Sequence, residues 1–273
     1  MGYEWDFSLL GDPATRGFLL QGLLRTLQLT AWCIVVGSPL GVLLGSLPFV
    51  NSLAGPPSGG LRKALLGGGR GAVLGGQEHV SGVAGALPGA LRSSAARIGL
   101  QLIAGGSVLL IDVIRAIPLL LLMLTCYYGL PMIAGNSVSG FSAAAIAMTI
   151  NLAAFVADLV RGAASAVSRG SIMAAQSLGM SRLLTWRRIV LPEVLREILP
   201  GLSLLYITML KMSTLASAIA VYELLHSAEA VIQRTYRPLE LYVTVCLLFV
   251  VLILPLAWAA RRIEQSKIFR RRT

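Results

Sequence analysis

The chain has 273 residues, 56% of them hydrophobic and only 13% charged, with a mean hydropathy of +0.77. A water-soluble domain of that length needs more polar surface, so the composition excludes one and indicates a polytopic helical membrane protein. The formal net charge of +11 does not signal nucleic acid: many of the bases sit in loops beside apolar runs, where anionic lipid and the inside-positive bias account for them.

Met1–Thr15 carries Glu4, Asp6 and Asp12 and no Lys or Arg, and reads as the start of an extracytoplasmic tail over residues 1–18. It is too acidic and aromatic to read as a signal peptide. Leu19–Val50 is the first span, with Pro39 and Pro48 late in it, where a helix is expected to bend or end. Residues 51–98 are dense in glycine (Gly59-Gly60, Gly67-Gly68-Gly69, Gly75-Gly76) and carry no helical stripe, the pattern of a flexible cytoplasmic linker. No Gly-Lys pair and no G-x-G-x-x-G occurs, so the glycines do not read as a phosphate or dinucleotide loop.

A lead-in segment to about Val113 precedes a second span over Ile117–Ala134, with Asp112, Arg115 and Pro118 at the junction. Gly135–Gly140 is an uncharged turn. Phe141–Val160 is the third span, ending at Asp158 and Arg161. Ser168–Gly201 is a basic interruption, with Arg169, Arg182, Arg187, Arg188 and Arg196 against Glu193 and Glu197. Leu199–Tyr222 is the fourth span, Glu223–Glu240 a polar connection, Leu241–Ala260 the fifth span, and residues 263–273 a basic tail. The expected fold is all-α with five transmembrane helices. Charge alternates from loop to loop in a way that one topology satisfies throughout: N-terminus outside, C-terminus cytoplasmic.

Cys33, Cys126 and Cys246 all lie in apolar runs and read as small hydrophobes. His79 and His226 are isolated. No His/Cys/carboxylate cluster suggests a metal and no nucleophile–base pair stands out, so neither catalysis nor a cofactor is expected. On a wheel of 100° per residue, Ser203, Tyr206, Lys211, Ser213, Thr214 and Ser217 fall within one half of the fourth span, with Leu205 and Met212 facing elsewhere. A polar stripe with a lysine inside hydrocarbon reads as the wall of a translocation route, or as inter-helix glue with Lys211 reaching an interface. In the third span Asn151, Asp158, Arg161 and Ser165 share one face. Asp158 and Arg161, like Asp112 and Arg115, are three apart and can pair on a helix surface. In the basic stretch, Ala174 and Ala175 permit close approach, Gly179 allows a sharp turn after a short helix, and Pro192 suits the first turn of another. Met173, Leu178 and Met180 add apolar contact.

The pattern Ala174-Ala175, Gly179, Ile189-Val190-Leu191-Pro192 resembles the cytoplasmic loop of ABC importer permeases, with Met173 where that family carries Glu. GLLRTLQLT in the first span, DVIRAIPLL at Asp112–Leu120, NLAAFVADLVRG at Asn151–Gly162 and KMSTLASAIAVYEL at Lys211–Leu224 resemble successive blocks of the polar amino-acid group. The departures are Ala116-Ile117 for a Gly-Thr pair, Met212 and Ser213 for Asp and Thr, and the long glycine-rich insert. The resemblance implies a type I ABC importer transmembrane domain over residues 19–262 that binds no ATP itself. It implies two ATP-binding subunits docked on Met173, Ala174, Ala175, Leu178, Gly179, Leu191 and Pro192, a solute-binding protein outside, and a second permease copy or paralogue. It further implies a pathway along Asn151, Tyr206, Lys211, Ser213, Thr214 and Ser217, with Arg115, Pro118, Asp158 and Arg161 in structural or gating roles. The competing reading is an ion-coupled secondary transporter or channel, in which Asp158, Arg161 and Lys211 are coupling groups; the absence of paired broken-helix repeats weighs against it.

Overall fold

The computed structural model describes residues 5–52 and 105–264. Nearly all of the glycine-rich linker, the last nine residues and the first four lie outside the described residues. In chain order the helices are α1 (Pro13–Ser52), α2 (Gly105–Ala116), α3 (Leu119–Ala134), α4 (Gly140–Ala166), α5 (Arg169–Ser177), the single turn α6 (Arg182–Thr185), α7 (Leu191–Met212), α8 (Leu224–Thr235) and α9 (Pro238–Glu264). Four segments are long and apolar enough to cross a membrane, and α2 with α3 makes a fifth if the bent pair is one span.

Local chemistry sets the ends. Asp12 caps α1, its Oδ2 accepting from the Thr15 amide and hydroxyl, both at 3.0 Å, and Pro13 takes the first helical position, where no amide is needed. The Ser139 hydroxyl accepts from the Ser142 amide at the start of α4. Gly135, at φ +70°, closes α3 in the left-handed region open to glycine.

The core is α4. Its Ala143, Ala147, Met148, Leu152, Val156 and Val160 are buried, and α1 lies along it. The contact is a ladder of small residues. Gly37 sits on the Thr149 carbonyl, Gly41 on that of Ala153 and Gly45 on that of Ala157; a Cβ at Gly41 would stand only 2.6 Å from the facing oxygen, and one at Gly45 would be closer still. Backbones approach this closely in membranes where small residues repeat every four positions. The partners ascend together along both helices, so α1 and α4 run parallel. The Cys33 thiol, donating to the Met148 carbonyl at 3.2 Å, continues the seam. A second cluster joins Leu19 of α1, Leu224, Ala228 and Val231 of α8, and Leu241 and Val245 of α9.

The first helix runs through Pro39 and Pro48 and ends at Ser52, two residues past the expected end of the first span; helix packing in a membrane tolerates the lost hydrogen bonds. Two boundaries are corrected. The lead-in before the second span extends to Ala116, and the chain turns by 100° there, so α3 starts at Leu119. Pro118 is the cause: it disfavours helix at Ile117 and serves as N-cap of α3. The fourth span starts at Leu191, earlier than expected, and its α-helix stops at Met212, where a 3-10 helix takes over Ser213–Ile219. Much of the polar connection Glu223–Glu240 is helical, as α8.

Candidate functional site

Three features gather the residues singled out above. The first is α5 together with the turns that join it to α7. The helix closes in a Schellman arrangement around Gly179, at φ +74°: the Met180 amide donates to the Ala175 carbonyl at 3.1 Å and the Gly179 amide to that of Gln176 at 3.0 Å. Two large apolar side chains project from this unit unburied, Met173 at 61% and Leu178 at 83% exposure. Ala174 and Gly179 lie exposed beside them, while Ala175 faces inward. After α6 the chain makes one π turn, Trp186–Val190, directly into α7. Pro192 has no amide to give the Arg188 carbonyl, and a widened turn just before it relieves that loss. Leu191 is half-buried against the core and Pro192 is exposed. Trp186 and Val190, both buried, weld the turn to the bundle, with the Phe49 ring of α1 5.3 Å from that of Trp186.

The second feature is a ring of four charges. Arg115 on α2 lies 2.9 Å from Asp158 on α4; Arg161 on α4 lies 2.6 Å from Asp158 and 3.2 Å from Asp112 on α2; Arg115 and Asp112 close it at 3.9 Å. The two i,i+3 pairs seen in the sequence thus form one network that ties the helix before the Pro118 bend to the core helix. The Arg115 guanidinium also stands 5.3 Å over the Phe155 ring.

The third feature is the polar residues of α7 and the 3-10 helix. The Tyr206 hydroxyl shares a 2.9 Å hydrogen bond with that of Ser38 on α1. Lys211 is exposed at the end of α7. The expected single stripe is divided. A 3-10 helix advances 120° per residue, so Ser213 falls in line with Ala216 and Ile219, all buried, and Ser213 is 0% exposed with its hydroxyl on the Leu210 carbonyl. Thr214 and Ser217 share the next ridge and are half-exposed; the Thr214 hydroxyl donates to the Lys211 carbonyl. Asn151, at 4% exposure, lies within the protomer rather than on this surface.

Sequence reasoning missed Glu223. It is fully buried at the start of α8, where its carboxylate accepts from the Leu225 amide at 2.9 Å and the His226 amide at 2.8 Å. Burial pushes its pKa up to about 7 despite those two bonds, which act the other way, with the nearby Glu229 charge adding to the rise. The signal was present: an acidic N-cap followed by Leu224, Ala228 and Val231 at helical spacing. Among the described residues no group of three or more His, Cys, Asp or Glu side chains is placed to hold a metal ion.

Residues 88–268 match the family model for the binding-protein-dependent transport system inner membrane component. The octopine transport system permease protein OccM of Rhizobium meliloti is 41% identical over 35% of this chain and 39% of its own length. The glutamine transport system permease protein GlnP of Escherichia coli is 33% identical over 47% of this chain and 58% of its own. The alignments therefore span less than two thirds of these relatives. Among solved structures, an amino acid ABC transporter crystallised with histidines superposes with a TM-score of 0.70 at 25% identity, covering 96% of this chain and 99% of that one. The MetNI methionine ABC transporter in inward facing conformations gives 0.58 at 21% identity, over 92% and 97%, a likeness of fold.

Proposed function

The chain belongs to the family of binding-protein-dependent transport system inner membrane components, and on that premise we propose that it is the permease subunit of an ATP-driven importer of a polar amino acid. It is a multi-pass membrane subunit without catalytic chemistry of its own. In this reading residues 19–262 form the transmembrane domain and cross the bilayer five times, with α2 and α3 together as one span. Residues 1–18 lie outside, and the linker 51–98 and tail 263–273 lie in the cytoplasm. Two copies, or this chain and a paralogue, enclose the route. Lys211, Thr214 and Ser217 are its best-placed lining groups, and a solute-binding protein delivers cargo from outside.

The observation that carries the reading is α5. A nine-residue helix held by a glycine-specific turn, with Met173 and Leu178 exposed, and joined through α6 and one π turn to α7, is built to be gripped. Exposed apolar side chains on a small rigid element mark a protein contact. Two ATP-binding subunits seated there would pass their closure to α7 as a rigid push. The parallel run of α1 and α4 supports the five-span topology, in which the first and third spans share a direction.

The test is co-purification in mild detergent, reconstitution with the ATP-binding subunits and a solute-binding protein, and a screen of amino acids for stimulated ATP hydrolysis. Stimulation by a polar amino acid is expected. Uptake by the isolated chain without nucleotide would instead establish the ion-coupled alternative.

A further inference from the structure

The segment before α1 is fastened to the start of α9. The Asp6 amide donates to Glu240 Oε1 at 3.1 Å, on the carboxylate that Arg237 also approaches at 3.5 Å. Glu240 is buried at this junction, and Leu10 packs on the cluster that holds Leu241 and Val245. The segment so held leaves two aromatic rings uncovered. Trp5 and Phe7 stack nearly parallel, with 5.8 Å between centroids and 4° between planes, yet Trp5 stays 55% and Phe7 45% exposed.

The length of α9 sets the level of this pair. Twenty uncharged residues, Leu241–Ala260, separate Glu240 from Arg261 and Arg262. At about 1.5 Å per residue they extend about 30 Å, the thickness of a bilayer's hydrocarbon core. Hardly any of the most apolar stretch of α9 is buried in the protein, and Leu239, Val243, Leu247, Val250 and Leu254 form one exposed stripe along it. Glu240 and the two arginines therefore mark the two edges of the hydrocarbon. At the far edge the exposed Trp258 has the Arg262 guanidinium 4.8 Å over its ring. Trp258 lies eighteen residues, five full turns, beyond Glu240, so both stand on one side of α9. Tryptophan, an apolar ring with one polar N–H, suits such an edge. We propose that Trp5 and Phe7 are an interfacial anchor, seated between the lipid headgroups and the first acyl carbons at the edge opposite Trp258, and that the bond from Asp6 to Glu240 ties its depth to α9. This requires only that the chain be embedded in a bilayer, whichever solute it carries.

The test is quenching of intrinsic fluorescence in the full chain, reconstituted in phosphatidylcholine vesicles whose acyl chains are brominated either near the headgroup or near the bilayer centre. Subtracting the emission of Trp5→Phe isolates Trp5, and subtracting that of Trp258→Phe isolates Trp258; both rings are exposed, so neither change disturbs the core. Each tryptophan should be quenched at least about twofold more by the shallow bromine than by the deep one. Aqueous iodide should quench Trp5 at least about threefold less than free tryptophan. Glu240→Ala, which removes the acceptor, should halve the shallow quenching of Trp5. Asp6→Pro, which deletes the donated amide without touching α9, makes the same test where Glu240→Ala lowers expression. Iodide quenching of Trp5 as strong as that of free tryptophan would overturn the proposal by placing the ring in water, and insensitivity to iodide and both lipids would do so by placing it under protein. So would stronger quenching of Trp5 by the deep bromine, or a Trp5 signal unchanged once the tether is removed.

Discussion

Arg115 and Asp158 meet at 2.9 Å across the junction of α2 and α4, three residues before the proline at which the chain turns through 100°. Asp158 accepts from Arg161 as well, whereas Asp112 reaches the same two arginines only at 3.2 and 3.9 Å. Removing Asp158 leaves the two guanidinium groups only the longer contacts to Asp112, whereas removing Asp112 leaves each its shorter contact to Asp158. Asp158→Ala should therefore destabilise the protein more than Asp112→Ala in detergent melts. A double-mutant cycle of Arg115→Ala with Asp158→Ala should give a coupling of about 0.5–1 kcal/mol, as for a partly exposed pair. Equal effects of the two aspartate variants would show that the ring does not hold the bend.

The glycine ladder makes a steric prediction. Gly41→Ala places a methyl group 2.6 Å from the Ala153 carbonyl, so α1 and α4 must separate, at a cost of about 1–3 kcal/mol. Gly17, with nothing within 4 Å of an added Cβ, is the control. Gly17→Ala should be neutral or stabilising by about 0.5–1 kcal/mol, since alanine is the better helix former. Thermal unfolding of both variants decides the matter.

At the end of α5, two substitutions separate shape from contact. Gly179→Asp forces a side chain into a left-handed backbone conformation and should abolish stimulated ATP hydrolysis while the protein remains inserted. Leu178→Ser alters only a side chain that is already in water, so the melt should not move. Its effect should appear instead as weaker co-purification of the ATP-binding subunits, by about tenfold for one anchoring side chain. Undiminished co-purification of Leu178→Ser would remove α5 as the docking surface.

Glu223, which lies outside the spans, sets a pH dependence. Its folded-state pKa, about 7, exceeds the ordinary value near 4.5, so between these two values the folded protein holds a proton that the unfolded chain has lost. Stability contributed by this group is thus complete below about pH 4.5 and declines as pH rises toward 7, by on the order of 2–3 kcal/mol. The direct comparison is with Glu223→Gln, which keeps the size of the side chain and removes its charge. That variant should flatten the slope in this window. An unchanged slope would show that Glu223 does not set it.

Much of this arrangement is legible in the sequence because membrane helices announce themselves by length and hydropathy. Gly179 and Pro192 stand out because each residue type has one strong backbone use. The illegible parts arise where the backbone departs from a uniform period. Ser213 and Thr214 fall within one half of a wheel of 100° per residue, and the change to 3-10 winding after Met212 separates them, with Ser213 turned inward. The charge ring is visible only as two separate i,i+3 pairs, since nothing local says that α2 folds back onto α4. That α1 continues past Pro39 is hidden for a related reason: the local cost of the proline is real, but the seam with α4 is a tertiary fact. Buried Glu223 escapes notice because a run of mixed charge reads as solvated until its neighbours are known.

The segment Ser213–Ile219 has a mechanical consequence of its own. Seven residues wound at about 2.0 Å each are roughly 3.5 Å longer than the same seven wound at about 1.5 Å, and each step differs by about 20° in azimuth. Coiling this stretch like α7 would shorten it and swing Thr214 and Ser217 progressively around the axis, leaving Lys211 in place. A screw of that pitch turns axial travel into rotation of the hydroxyls just beyond the lysine.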